Sequence, residues 1–106
     1  MSKRTNLTEN LKDFLKELEK DFDIDKFVLF GSMATGKNKE TSDVDLIIVS
    51  NDFEGMNFFE RASKVSDYWD LDLPVDFLCY TKKEFAILKN RISIASKALE
   101  EGVLIK

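Results

Sequence analysis

Carboxylates spaced two apart are among the simplest groupings that can hold a metal ion or move a proton, and this chain has no histidine to do either job. The Asp-x-Asp pattern occurs four times, as Asp21/Asp23, Asp23/Asp25, Asp43/Asp45 and Asp70/Asp72. In an acidic chain most such pairs are solvated turn residues. Asp43/Asp45 has a different setting, because Asp45 lies inside the start of an apolar run, Val44-Asp45-Leu46-Ile47-Ile48-Val49. Side chains alternate across a strand, so residues 43 and 45 share one face. Asp76 is a third acid, second in another apolar run, Val75-Asp76-Phe77-Leu78-Cys79-Tyr80. Crowded carboxylates repel, and burying either one is costly. Divalent cations that prefer oxygen ligands resolve such crowding.

A second group precedes these acids. Phe27-Val28-Leu29-Phe30 is a continuous apolar run that ends in Gly31-Ser32-Met33-Ala34-Thr35-Gly36. A strand that runs into a Gly-Ser turn exposes backbone N–H groups that can hold phosphate oxygens. By itself a Gly-Ser turn is usually only a turn.

These residues must be positioned by regular elements. Leu7, Leu11, Phe14, Leu15, Leu18 and Phe22 recur at steps of three and four, predicting a helix capped by Thr5 or Asn6. Asp21, Asp23 and Asp25 mark a turn before the strand that ends at Gly31. The second strand is followed by a turn at 52–55, and then by a helical repeat of Phe58, Phe59, Ala62, Val65 and Trp69. The third strand starts after Pro74. Thr81 and Glu84 fit a capping box, and Phe85, Leu88, Ile92, Ala95 and Leu99 continue as one helix or two. Gly102 is a helix stop, and residues 103–105 suit a short edge strand. The expected fold class is α/β (α+β), with a small mixed sheet of three to four strands flanked by helices, as one domain over residues 1–106. If strands two and three are parallel neighbours, Asp43, Asp45 and Asp76 meet at one sheet end. Gly31 and Ser32 reach the same end if strand one is antiparallel to strand two.

Bulk properties narrow the function classes. The chain has 106 residues, a net charge of −4 and one cysteine, so an intrachain disulfide is excluded and a broad nucleic-acid surface is disfavoured. No apolar stretch approaches the roughly 20 residues of a membrane span, and the N-terminal residues lack a signal-peptide pattern. The expected location is cytoplasmic. Among the remaining residues, Cys79 is expected to be a buried, inert thiol, and Trp69 and the phenylalanines to be core. Lys82 and Lys83 read as a solvated first turn, Arg61 as a surface residue on the polar side of its helix, and Tyr68 and Tyr80 as core-margin residues.

The stretch from Gly31 to Leu46, Gly-Ser followed by ten residues and then Asp-x-Asp, resembles the signature of the DNA polymerase beta-like nucleotidyltransferase superfamily. Ser42 before the first acid and Leu46 after the second also match, and Asp76 fits the third family carboxylate. In length the chain is similar to the minimal, antitoxin-like members. Many relatives carry basic residues where this chain has Met33 and Thr35.

The resemblance implies the polymerase beta-like fold. It also implies a Mg²⁺-dependent transfer of AMP from ATP to a hydroxyl. Asp43, Asp45 and Asp76 are the implied catalytic and metal-binding residues, holding two Mg²⁺ ions. Gly31, Ser32 and Ser42 are the implied nucleotide-binding residues. Minimal members are often paired with a small helical partner of the HEPN type, which implies a protein acceptor and an antitoxin role. A non-catalytic partner-binding or nucleotide-sensing module is the alternative, and homo-oligomerisation is a further expectation because a small sheet leaves edges.

Overall fold

Helix α1 spans Leu7–Glu19 and buries Leu7, Leu11, Phe14, Leu15 and Leu18 along one stripe, as the spacing predicts. The computed structural model describes residues 7–30, 44–90 and 102–106. The predicted caps Thr5 and Asn6 lie outside them, as do Ile92, Ala95 and Leu99. After α1, strand β1 spans Ile24–Phe30 and β2 spans Val44–Ser50. Strand β1 begins three residues earlier than the apolar run suggests, so Asp25 is a strand residue rather than a turn residue. Buried Ile24, paired with Ser50, anchors that early start.

The turn after β2 is a short 3-10 segment, Asn51–Phe53, whose cap Ser50 accepts from the Asp52 N–H. Phe53 is fully buried there. Gly55 has φ +84, a left-handed conformation that a side chain would strain. Helix α2 spans Phe58–Ser66, capped by the Asn57 side chain, which accepts from the Glu60 N–H at 2.9 Å. Strand β3 spans Val75–Tyr80 and helix α3 spans Lys82–Lys89. The Thr81/Glu84 capping box is present in both directions. Strand β4 is the pair Val103–Leu104.

The sheet order is β3-β2-β1-β4. Strand β1 is antiparallel to both β2 and β4, and β2 is parallel to β3, with α2 in the crossover between them. This is the predicted mixed sheet. Strict alternation along the strands feeds two cores. Phe27, Leu29, Val44, Leu46, Ile48 and Cys79 join α1 and Val65 of α2 on one face. Val28, Ile47, Val49 and Tyr80 join Phe85 of α3 on the other.

Two expectations about α2 fail. The helix ends at Ser66 rather than continuing to Trp69, because its last carbonyls are taken by tighter bonds, Tyr68 N–H to Val65 at 3.0 Å and Trp69 N–H to Ser66 at 3.0 Å. Released from the helix, Trp69 packs edge-on against Phe14 and Phe77 and donates its indole N–H to the Leu73 carbonyl. Phe58 and Phe59 are not core residues but exposed ones. The buried positions of α2 are Arg61 and Val65, one turn apart.

Candidate active site

The register of strands β1, β2 and β3 builds the site. Phe30, the last residue of β1, pairs with Asp45 on β2, and Asp45 pairs with Asp76 on β3. Directly paired residues point to the same face of a sheet, and adjacent strands lie about 4.8 Å apart. Phe30, Asp45 and Asp76 therefore form a row across the sheet, on the face that α3 partly covers. Phe85 of α3 packs with Val49 and Tyr80, toward the opposite end of β2 and β3. Asp45 is half-buried and Asp76 is exposed. The N-terminal ends of β2 and β3 are tied together just beyond the acids, where the Val44 N–H donates to the Pro74 carbonyl at 2.9 Å.

The sequence expectation that Asp45 and Asp76 share one sheet end, beside the end of β1, thus has its geometric counterpart. Gly31, Ser32, Ser42 and Asp43 lie outside the described residues, as do Met33 and Thr35. Among the described residues no group of three or more His, Cys, Asp or Glu side chains gathers around a common point. Two in-register carboxylates still suit Mg²⁺, which is commonly held by one or two protein carboxylates together with substrate phosphates and water.

At the other end of β3 lies a constellation that the sequence reading misplaced. Arg61 was expected on the surface, yet it is buried. Its Nε donates to the Met56 carbonyl at 2.9 Å and its guanidinium donates to the Cys79 carbonyl at 3.0 Å. It also donates twice to the Glu84 carboxylate, at 2.6 and 3.1 Å. The rings of Phe53 and Phe58 lie near the guanidinium, at 6.0 and 5.6 Å. Glu84 serves the α3 cap and the ion pair together, since its Oε1 also accepts from the Thr81 N–H. The hydrogen bonds from Arg61 hold the Glu84 carboxyl below the usual carboxylate range. A signal existed: Arg61 falls three residues after Phe58 and four before Val65, on the apolar stripe itself. Cys79 meets its expectation, being buried, and desolvation pushes its thiol up to about 12. Lys82 and Lys83 are exposed, as expected.

Residues 9–105 match the family model described as "Nucleotidyltransferase domain". The chain belongs to the nucleotidyltransferase family. It is 31% identical over 81 residues to a protein of Methanocaldococcus jannaschii named "Putative protein adenylyltransferase", covering 74% of this chain and 90% of that one. Its fold is that of a crystal structure titled as a putative nucleotidyltransferase from Sulfolobus solfataricus, with a TM-score of 0.68 and 22% identity over 95% of this chain and 80% of that chain. A second crystal structure titled as a putative nucleotidyltransferase is similar with a TM-score of 0.50 and 30% identity, covering 80% of this chain and 89% of that chain. The mixed sheet flanked by helices is thus a nucleotidyltransferase architecture. Among the described residues no helix is long and apolar enough to cross a membrane.

Proposed function

We propose that this nucleotidyltransferase moves AMP from ATP to a hydroxyl group of a partner protein, in the cytoplasm, using a carboxylate site of Asp43, Asp45 and Asp76. The observation that carries this reading is the in-register pairing of Asp45 with Asp76, beside the end of the strand that leads into Gly31-Ser32. The protein adenylyltransferase name of the Methanocaldococcus relative supports a protein acceptor. A small helical protein of the HEPN type is the proposed acceptor, which would make this chain the antitoxin of the pair.

In this scheme Gly31, Ser32 and Ser42 bind the triphosphate, with backbone N–H groups and hydroxyls donating to its oxygens. Asp43 and Asp45 would hold one Mg²⁺, and Asp76 would share a second. When bound, the ions neutralise phosphate charge and lower the pKa of the acceptor hydroxyl. Asp76, the exposed acid on the sheet's edge strand, orients that hydroxyl and accepts its proton. The acceptor oxygen bonds to the α-phosphorus, the bond to the bridging oxygen breaks, and pyrophosphate leaves with the electron pair.

The test uses ATP labelled at the α-phosphate, Mg²⁺ and a purified HEPN-type partner. Label should appear on a partner hydroxyl with the wild type and vanish with Asp45→Asn. Full transfer by both Asp45→Asn and Asp76→Asn would sink the site assignment. Met33 and Thr35, in positions that are basic in many relatives, favour a second reading as a nucleotide-sensing or partner-binding module. A nucleotide-sensing module would bind ATP in a calorimetric titration yet release no pyrophosphate, and a partner-binding module would transfer no label.

A further inference from the structure

Strand β3 is an outer strand of the sheet, and among the described residues it pairs with β2 alone. Its outward backbone groups can be assigned. The Pro74 carbonyl, one residue before β3, turns toward β2, because it accepts from the Val44 N–H at 2.9 Å. Backbone groups of successive strand residues point to alternate sides, so Asp76, Leu78 and Tyr80 bond to β2, while the N–H and C=O groups of Val75, Phe77 and Cys79 turn outward. The Cys79 carbonyl agrees with this assignment, since its partner is the Arg61 side chain at 3.0 Å rather than a strand. Arg61 therefore closes the C-terminal end of the edge. At the N-terminal end, Val75 and Phe77 have no backbone partner outside the β2–β3 ladder among the described residues. Between them sits Asp76, exposed.

We propose that an extended, basic segment of the acceptor protein pairs with Val75 and Phe77 as an added strand, and that its hydroxyl-bearing residue lies opposite Asp76. This rests on the nucleotidyl-transfer reading of the site. Strand addition to a sheet edge is a general mode of peptide recognition, in which main-chain bonds supply the affinity. Here it also sets the geometry. Phe30, Asp45 and Asp76 form a row across three strands. A residue opposite Asp76 on an added strand is the next position in that row, on the same face and with its Cβ about 5 Å from that of Asp76. At the far end of the row β1 leads into Gly31-Ser32, where the proposed function places the triphosphate. Acceptor and leaving group thus approach from opposite sides of the two acids, as an in-line displacement requires.

Charge selects the occupant. Between Lys64 and Lys82 the chain has Asp67, Asp70, Asp72 and Asp76 and no lysine or arginine. All four acids are exposed. Like charges across an interface disfavour pairing. A second copy of β3 would set Asp76 against acids, and a nucleic-acid backbone would bring phosphates to them. A segment with lysine or arginine around its hydroxyl meets neither penalty.

The test uses a capped peptide, Lys-Val-Lys-Ser-Lys-Val-Lys, and amide hydrogen exchange read by NMR. Added to the Asp45→Asn chain, which binds without turnover, the peptide should slow exchange of the Val75 and Phe77 N–H groups by more than about tenfold. Replacing its lysines with glutamate should remove most of that protection. With the wild type, Mg²⁺ and ATP labelled at the α-phosphate, label should appear on the peptide serine. N-methylation along the peptide should then abolish labelling at every second amide and spare the amides between, the period of a paired strand. Labelling without protection of Val75 and Phe77, or without that alternation, would overturn the docking mode and leave the transfer reading standing. Protection without labelling would support the docking mode and count against the transfer reading. Equal protection by the glutamate peptide would overturn the choice of a basic segment, and absence of both signals would overturn the proposal.

Discussion

Strand β3 carries charge at both ends and handles it in opposite ways. At its C-terminal end a buried arginine meets a carboxylate bidentately, donates to two backbone carbonyls and lies near two aromatic rings. At its N-terminal end an exposed aspartate lies in register beside a second aspartate. The first arrangement joins opposite charges and ties together the segment before α2, the outer edge of β3 and the first turn of α3. The second brings two like charges side by side in register. The comparison separates a charge cluster that the fold uses to join three segments from the carboxylate pair on which the proposed function rests.

The largest expected effect is at the acid end. Asp45→Asn and Asp76→Asn should each lower nucleotidyl transfer by about 10³-fold, measured as kcat with saturating ATP. Asp76→Asn should leave the metal-free protein's stability within about 0.5 kcal/mol of the wild type, since the side chain is exposed. A larger loss of stability would break the comparison.

Arg61→Ala should do the reverse. It should cost about 2–3 kcal/mol in urea unfolding, less than a fully buried pair because Glu84 is half-exposed. Arg61→Lys should recover under half of that, since an ammonium cannot form the two-point contact.

A smaller effect is expected in acid. The carboxyl of Glu84 titrates lower when folded than its ordinary value of 4.5, because Arg61 bonds its charged form. The stability this supplies is fully present above the ordinary value and is lost as pH falls through the folded one. Unfolding free energy should therefore decline below about pH 4.5 more steeply in the wild type than in Arg61→Met. Identical slopes would show that the pair carries no linkage.

The smallest effect sharpens the contrast in reactivity. Cys79, whose backbone carbonyl accepts from Arg61, should resist alkylation by iodoacetamide at pH 8 until the protein unfolds, as counted by mass spectrometry.

Much of this was legible because it is local or periodic. The stripe of α1, the apolar runs of β1, β2 and β3 and the Thr81–Glu84 capping box depend on residues within one or two turns of each other. The adjacency of Asp45 and Asp76 was legible conditionally. Each acid occupies the second position of its strand, so parallel pairing in equal register brings them together. Gly31, Ser32, Ser42 and Asp43 remain expectations from the sequence alone.

Burial was decided elsewhere. Arg61 looked like a surface residue because arginine normally is one. It is buried because Glu84, two carbonyls and two rings converge on it from residues 3 to 23 positions away. Phe58 and Phe59 looked like core because phenylalanine normally is, yet α2 turns Arg61 and Val65 inward instead. By itself the sequence determined the elements, their order and which residues share a face, since backbone periodicity and capping act over a few residues. Only the tertiary structure decided which of those faces is covered, since coverage depends on what distant segments bring to each position.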